Sequence, residues 1–234
     1  MYRFYAPVIH KPHHTLDPTE AKHALNVLRL KKNDSILLLD GKGQQCTAKI
    51  LNDNTKNTQL LITREHTISR IDKPRLTIAV APTKSMDRMT NFVEKAVEIG
   101  ISKIIPIACK HSERKTIKTE RLQKVAIAAL KQSGNLFLPE ITPMTKLKQV
   151  LEEEKASRKY IAHCNESPHK KPLKEIFSPE EDTLFLIGPE GDFDQEEINT
   201  AIQYGCSEIQ ISTHTLRTET AAIYLAIAAD LLTK

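Results

Sequence analysis

From Leu76 onward, short apolar runs alternate with segments whose apolar residues recur at helical spacing. This alternation constrains the chain more than any other feature, because it is the pattern of a parallel sheet with helices packed against it. Strands are predicted over residues 76–81, 103–107, 160–163, 184–187 and 208–211. Between them, Met89, Phe92, Val93, Ala96 and Val97 fall on one helical face, as do Leu122, Val125, Ala126 and Ala129. A further helix starts at Asp194, which pairs with Glu197 in the pattern of a capping box. The last helix, over 218–232, is apolar almost all round, so it is predicted to be buried in its own domain or against a second copy of the chain.

The first seventy residues follow a different pattern. Asp17-Pro18-Thr19-Glu20 supplies an N-cap, a proline at the first helical position and an acid three residues after the cap. A short helix should therefore run through His23, Leu25 and Leu28 to about Arg29. Three β-rich runs follow, at 35–39, 44–51 and 58–62, separated by Asp40-Gly41-Lys42-Gly43 and Asn52-Asp53-Asn54, both turn chemistry. They predict a small antiparallel β-barrel or sandwich. Ile71-Asp72-Lys73-Pro74 reads as a linker, dividing the chain into domains at 1–72 and 73–234.

A formal net charge of +5 conceals an uneven distribution. Residues 1–134 carry 24 basic and 12 acidic side chains, whereas the last hundred carry 10 and 17. The split points to a polyanion-binding surface on the N-terminal side, although scattered solvated lysines would give the same count. The longest uncharged apolar stretch, 221–229, is about half the length a bilayer-spanning helix needs, and residues 1–5 open no signal-peptide core. The four cysteines stand at least 42 positions apart with no Cys-x-x-Cys pair, which reads as reduced thiols. A cytoplasmic protein without a membrane partner is expected. His10, His13 and His14 lack a cysteine or carboxylate at a recognised spacing, so no metal is expected either.

The most informative segment is Ile187-Gly188-Pro189-Glu190-Gly191-Asp192-Phe193, between a buried strand and a capped helix. A loop at the carboxyl end of a parallel strand is where open α/β sheets bind ligands, and its glycines let backbone approach a ligand closely. A tight structural turn would look the same. Neither the dinucleotide fingerprint, the P-loop nor Gly-x-Ser-x-Gly occurs. Leu216-Arg217-Thr218-Glu219-Thr220-Ala221 repeats the strand-to-helix setting, so two loops are predicted to rise side by side from adjacent strands. Here Thr218 would cap the last helix, and Arg217 with Glu219 would form either site chemistry or a simple ion pair. Residues 84–88 and 111–115 follow two other strands within the basic stretch and are candidates for phosphate contacts.

In combination, Gly188-Pro189-Glu190-Gly191 followed some twenty-five residues later by Leu216-Arg217-Thr218-Glu219-Thr220-Ala221 resembles the SPOUT methyltransferases. Within them it is most similar to the bacterial enzymes that methylate N3 of a uridine in 16S ribosomal RNA. Val27-Leu28-Arg29, Asp40-Gly41, residues 84–88, Lys95-Ala96-Val97-Glu98-Ile99-Gly100, Ser112-Glu113-Arg114 and Gln132-Ser133-Gly134 support the resemblance in order along the chain. Three positions depart from it. Asp192 stands where glycine is expected, Ser212-Thr213 replaces a glycine-containing pair, and His214-Thr215 replaces an arginine and an isoleucine.

The resemblance implies an α/β protein with an N-terminal PUA-like β-barrel and a C-terminal SPOUT α/β domain closed by a trefoil knot. It also implies a homodimer that binds S-adenosyl-L-methionine and acts on 16S rRNA or the assembled small ribosomal subunit. Ile187, Gly188, Pro189, Glu190, Gly191, Ile211, Ser212, Leu216 and Thr218 would then hold the cofactor. Arg217 would stabilise charge on the uracil oxygens, and Glu190 or Glu219 would orient the base or take its proton. Arg3, Arg29, Lys84, Arg88 and Arg114 would contact phosphates. Two other readings remain open from the sequence: ribose 2′-O-methylation, and a non-catalytic RNA- or ribosome-binding protein.

Overall fold

The computed structural model describes residues 1–70 and 74–233, so most of the predicted linker, at 71–73, lies outside the described residues. The chain forms two units, Met1–Asp72 with Ile127–Leu138, and Lys73–Ala126 with Pro139–Lys234. The inclusion of 127–138 in the first unit is not legible in local sequence patterns.

In the first unit, β1 (Arg3–Tyr5), β2 (His13–Thr15), β3 (Ser35–Leu39), β4 (Gln44–Ile50) and β5 (Gln59–Thr67) form a sheet in the order β1-β3-β4-β5-β2. The three predicted strands are present, and two three-residue strands join them that were too short to show periodicity. Pairing is antiparallel except that β1 runs parallel to β3, which departs from the expected antiparallel arrangement. A parallel pair needs a long crossover, and here residues 6–34 provide it. β5 extends five residues beyond its predicted end, since exposed Arg64 and His66 carry no apolar signal yet pair with β4, past a register shift at Thr47/Ala48. Helix α1 (Pro18–Lys22) is capped by the Asp17 carboxylate, which accepts from Thr19 N–H, and continues as a π-helical turn over His23–Val27. Phe4, Leu16, Ile36, Leu38, Ile50 and Leu60 are fully buried or nearly so and form the core.

Arg3 also belongs to this unit's interior contacts. Its guanidinium donates to the carbonyls of Lys131 and Gln132. At Gly134, where φ is +77°, an added Cβ would lie 2.8 Å from Arg3 Cζ, so the guanidinium would have to shift.

The second unit contains β6 (Leu76–Val80), α2 (Met86–Ile99), β7 (Lys103–Ala108), α3 (Thr119–Ser133, grouping with the first unit from Ile127), β8 (Glu140–Ile141), β9 (Thr145–Lys146) and α4 (Leu147–Glu153). It continues through β10 (Arg158–Ala162), β11 (Lys171–Pro172), α5 (Leu173–Ile176), β12 (Thr183–Ile187), α6 (Gln195–Gln203), β13 (Cys206–Gln210) and α7 (Thr218–Thr233). All strand pairs are parallel, in the order β11-β13-β10-β12-β6-β7-β8, with β9 also pairing to β7. All five predicted strands are present, and β12 is buried along its whole length, as an interior parallel strand should be. The buried face of α2 is Met89, Phe92, Val93, Ala96 and Val97, and Asp194 and Glu197 complete both halves of the capping box on α6.

Candidate functional site

The strand order places β10 between β12 and β13. The glycine-containing loop after β12 and the Leu216–Ala221 segment after β13 therefore do not rise from adjacent strands, contrary to the sequence expectation. The loop after β10, residues 163–170, stands between them. Together the three loops enclose a cleft of about 670 Å³ at the carboxyl ends of the strands, within the range of small-molecule sites. Ile187, Gly188, Pro189, Glu190, Ile211, Ser212, Leu216, Arg217 and Thr218 line it.

Gly191 and Glu219 are not among the lining residues. Gly191 faces His111, whose Cβ would lie 3.1 Å from a Cβ built on the glycine. Glu219 faces α2, its Oε1 being 3.7 Å from Arg88 Nε, while its buried Oε2 has no hydrogen-bond partner among the described residues. The anticipated Arg217–Glu219 pair is thus replaced by Arg88–Glu219. Arg217 is exposed, and its carbonyl accepts the first helical bond of α7, from Ala221 N–H. Thr218, predicted as the cap, is the first residue of α7 and not the one that precedes it, and its hydroxyl donates to the carbonyl of Gly188 at 2.9 Å in a buried contact.

The glycine-containing loop is also held by the loops after β6 and β7. Glu190 Oε1 accepts from Lys84 N–H at 3.0 Å. Arg114 donates from Nε to the Thr83 carbonyl and from Nη2 to the Lys84 carbonyl. Lys110 N–H donates to Glu197, and His111 Nδ1 lies 3.0 Å from Gly191 O and 3.2 Å from Asp192 O.

Four members of the expected phosphate set already have partners within the chain. Arg3 and Arg114 are committed to backbone carbonyls, Arg88 to Glu219, and the Lys84 ammonium to Glu113 at 3.0 Å. Arg29, exposed in the first unit with φ of +55°, is the member of the set with no such partner among the described residues.

The loop after β10 carries groups that the motif reading passed over. His163 Nε2 is 3.0 Å from Glu208 Oε1, with both side chains almost fully buried. Its buried Nδ1 has no hydrogen-bond partner among the described residues. Burial first, and then the Lys170 charge, hold the His163 imidazole below the ordinary histidine range against the opposing pull of Glu208. Lys170 Nζ donates to the carbonyls of His163 and Asn165, bracing the loop. The signal was present in the sequence, since His163 ends a predicted strand just as Ile187 and Ile211 do.

The lining of the cleft mixes apolar and polar residues. Apolar surface comes from Ile187, Pro189, Ile209, Ile211 and Leu216, and polar groups from Asp192, Gln210, Ser212 and Arg217.

A family model described as an RNA methyltransferase domain matches residues 71–230, and one described as an RNA methyltransferase PUA domain matches residues 16–62. A Rickettsia conorii protein, ribosomal RNA small subunit methyltransferase E, is 32% identical over 84% of this chain and 80% of its own length. A probable rRNA-methyltransferase from Porphyromonas gingivalis superposes with a TM-score of 0.92 at 34% identity, covering 100% of this chain and 98% of that one. The ribosomal RNA small subunit methyltransferase E of Neisseria gonorrhoeae, solved bound to S-adenosyl methionine, gives 0.87 at 28% identity over 99% and 98%.

Proposed function

The chain belongs to the RNA methyltransferase family, with a PUA domain and a mixed α/β methyltransferase domain, and from that premise we propose that it methylates small-subunit ribosomal RNA using S-adenosyl-L-methionine. The base position we assign is N3 of a uridine in 16S rRNA. The observation that carries the reading is the three-loop cleft at the carboxyl ends of β10, β12 and β13, in a chain that matches, over nearly its whole length, a structure holding S-adenosyl methionine.

The residues fit that cofactor. The backbone of 187–190 and 211–216 would hold its adenosine and methionine parts, with Thr218 and Lys84 fixing the first of these segments through Gly188 and Glu190. When bound, the cofactor supplies a methyl group already activated on a positively charged sulfur. The chain's part is to bring the uracil nitrogen into line with the S–CH₃ bond, and positioning of this kind supplies much of the rate. Neutral uridine keeps a proton on N3, and its Watson–Crick edge is hidden in a helix, so the base must be turned out and deprotonated. Arg217, exposed at the cleft and unpaired among the described residues, would stabilise the negative charge developing on the uracil oxygens. Glu190 lines the cleft and has one carboxylate oxygen engaged by Lys84 N–H, which leaves the other to accept the proton. Glu219, outside the cleft and paired with Arg88, would act by fixing the start of α7.

The same reading includes a trefoil knot in the C-terminal unit and a homodimer. Tyr224, Ile227 and Leu231 recur along α7 at exposures of 48%, 44% and 67%, an apolar stripe that a second copy would cover. No helix among the described residues is long and apolar enough to cross a membrane, and the cytoplasm, where ribosomes are made, is the proposed location. Primer extension on 16S rRNA from cells lacking and then regaining the gene tests the function. A methyl on N3 blocks base pairing, so a hard stop restored at one uridine is expected, and its absence would overturn the assignment.

A further inference from the structure

Asp192 stands where the family resemblance leads one to expect glycine, and the structure shows both why that position favours glycine and what the carboxylate does instead. Its φ is +62°, in the left-handed region, where Asp and Asn are tolerated because their short polar side chains bond locally. Asp192 Oδ1 accepts from Phe193 N–H at 2.8 Å, the local bond. Oδ2 accepts from Cys164 N–H at 2.7 Å, a bond to a residue 28 positions away in the loop after β10. Both Asp192 and Cys164 line the cleft. On its other side the same turn is fixed through its carbonyls, since His111 Nδ1 reaches Gly191 O and Asp192 O.

We propose that Asp192 is a positioning residue that straps the loop after β12 to the loop after β10, making the two one wall of the cleft and thereby setting the affinity for S-adenosyl-L-methionine. The inference rests on the reading that this cleft binds that cofactor. Glycine would adopt the same φ without strain but would leave the Cys164 amide untied, so the strap belongs to the side chain and not to the backbone conformation. Loops pre-ordered in the bound arrangement bind more tightly because less ordering remains to be done when the ligand arrives.

The test compares three variants of the full chain by isothermal titration with S-adenosylmethionine, thermal melting, and hydrogen exchange of the Cys164 amide without ligand. Asp192→Gly and Asp192→Ala both lose the strap, but only the alanine variant retains the strained φ, so the two should differ in melting temperature. The strap predicts that both nonetheless lose cofactor affinity to a similar extent, about tenfold or more, a factor of ten being 1.4 kcal/mol. Asp192→Asn keeps one acceptor and should lose less, and exchange at Cys164 should quicken in the glycine variant. If Asp192→Gly binds as tightly as the wild type, or if affinity merely tracks melting temperature across the series, the strap is overturned while the cofactor reading stands. If the wild type itself gives no binding heat, the cofactor reading fails and the strap's role fails with it.

Discussion

The Thr218 hydroxyl donates to the Gly188 carbonyl at 2.9 Å, and this buried contact joins the two loops that the sequence motifs single out, thirty residues apart. It makes the start of α7 and the loop after β12 a single unit. Thr218→Val keeps the shape and removes the donor, leaving a buried carbonyl unpaired, which costs about 1–3 kcal/mol. Urea denaturation should show that loss with little change in slope, and Thr218→Ser should restore most of it. Unchanged stability in the valine variant would mean that the carbonyl finds another donor.

Arg217→Ala should lower the rate at saturating cofactor about 10²–10³-fold, the scale of removing one donor to a developing oxyanion, with cofactor affinity changed far less. Single-turnover methylation and titration calorimetry on the same preparation separate the two effects. Equal losses in both would assign Arg217 to cofactor binding.

Arg88 and Glu219 form a pair of unequal exposure, 39% and 12% for the side chains. Removing Arg88 leaves a mostly buried carboxylate, one oxygen of which has no hydrogen-bond partner among the described residues, so Arg88→Ala should destabilise the protein by about 1–2 kcal/mol, above the usual surface-pair range. Adding Glu219→Gln should recover part of that. A double-mutant cycle measures the coupling, and a value near zero would show that the pair contributes nothing.

Arg29 and Arg114 should behave differently toward RNA. Arg29→Ala should weaken binding and reduce the slope of log K against log salt by about one phosphate contact. Arg114→Ala removes the donors to Thr83 and Lys84 carbonyls, so it should lower the melting temperature and leave the salt slope near that of the wild type. Filter binding at several salt concentrations decides between these outcomes.

His163 and His14 are both held below the ordinary histidine range, chiefly by burial. A depressed folded-state value means that the unfolded chain takes up protons first as the pH falls. Their contribution to stability is therefore complete above about 6.5, the unfolded value, and is lost progressively below it. Melting temperature should fall between pH 7 and 5, and His163→Asn should flatten that dependence. An equally steep profile in the variant would assign the acid sensitivity to other groups.

Much of the fold was legible locally. A run such as 184–187 is apolar throughout, and a parallel strand buried on both faces requires that. Asp194 and Glu197 cap α6 through bonds spanning two or three residues, so the signal and its cause lie within one turn. The short strands β1 and β2 were not legible, because three residues such as His13–Thr15 cannot display a period, and their pairing partners lie far along the chain.

The sequence by itself determined that the loops carrying the two motifs stand at the carboxyl ends of strands in a parallel sheet. Tertiary structure alone decided that β10 lies between β12 and β13, and so brought the loop with His163, Cys164 and Lys170 into the lining of the cleft. It also decided that Glu219 meets Arg88, that Arg114 holds carbonyls, and that Asp192 reaches Cys164. The physical reason is one of range. Periodicity and capping act within a few residues, whereas strand order and the partners of a polar side chain are settled by which distant segments the packed core brings within hydrogen-bonding distance.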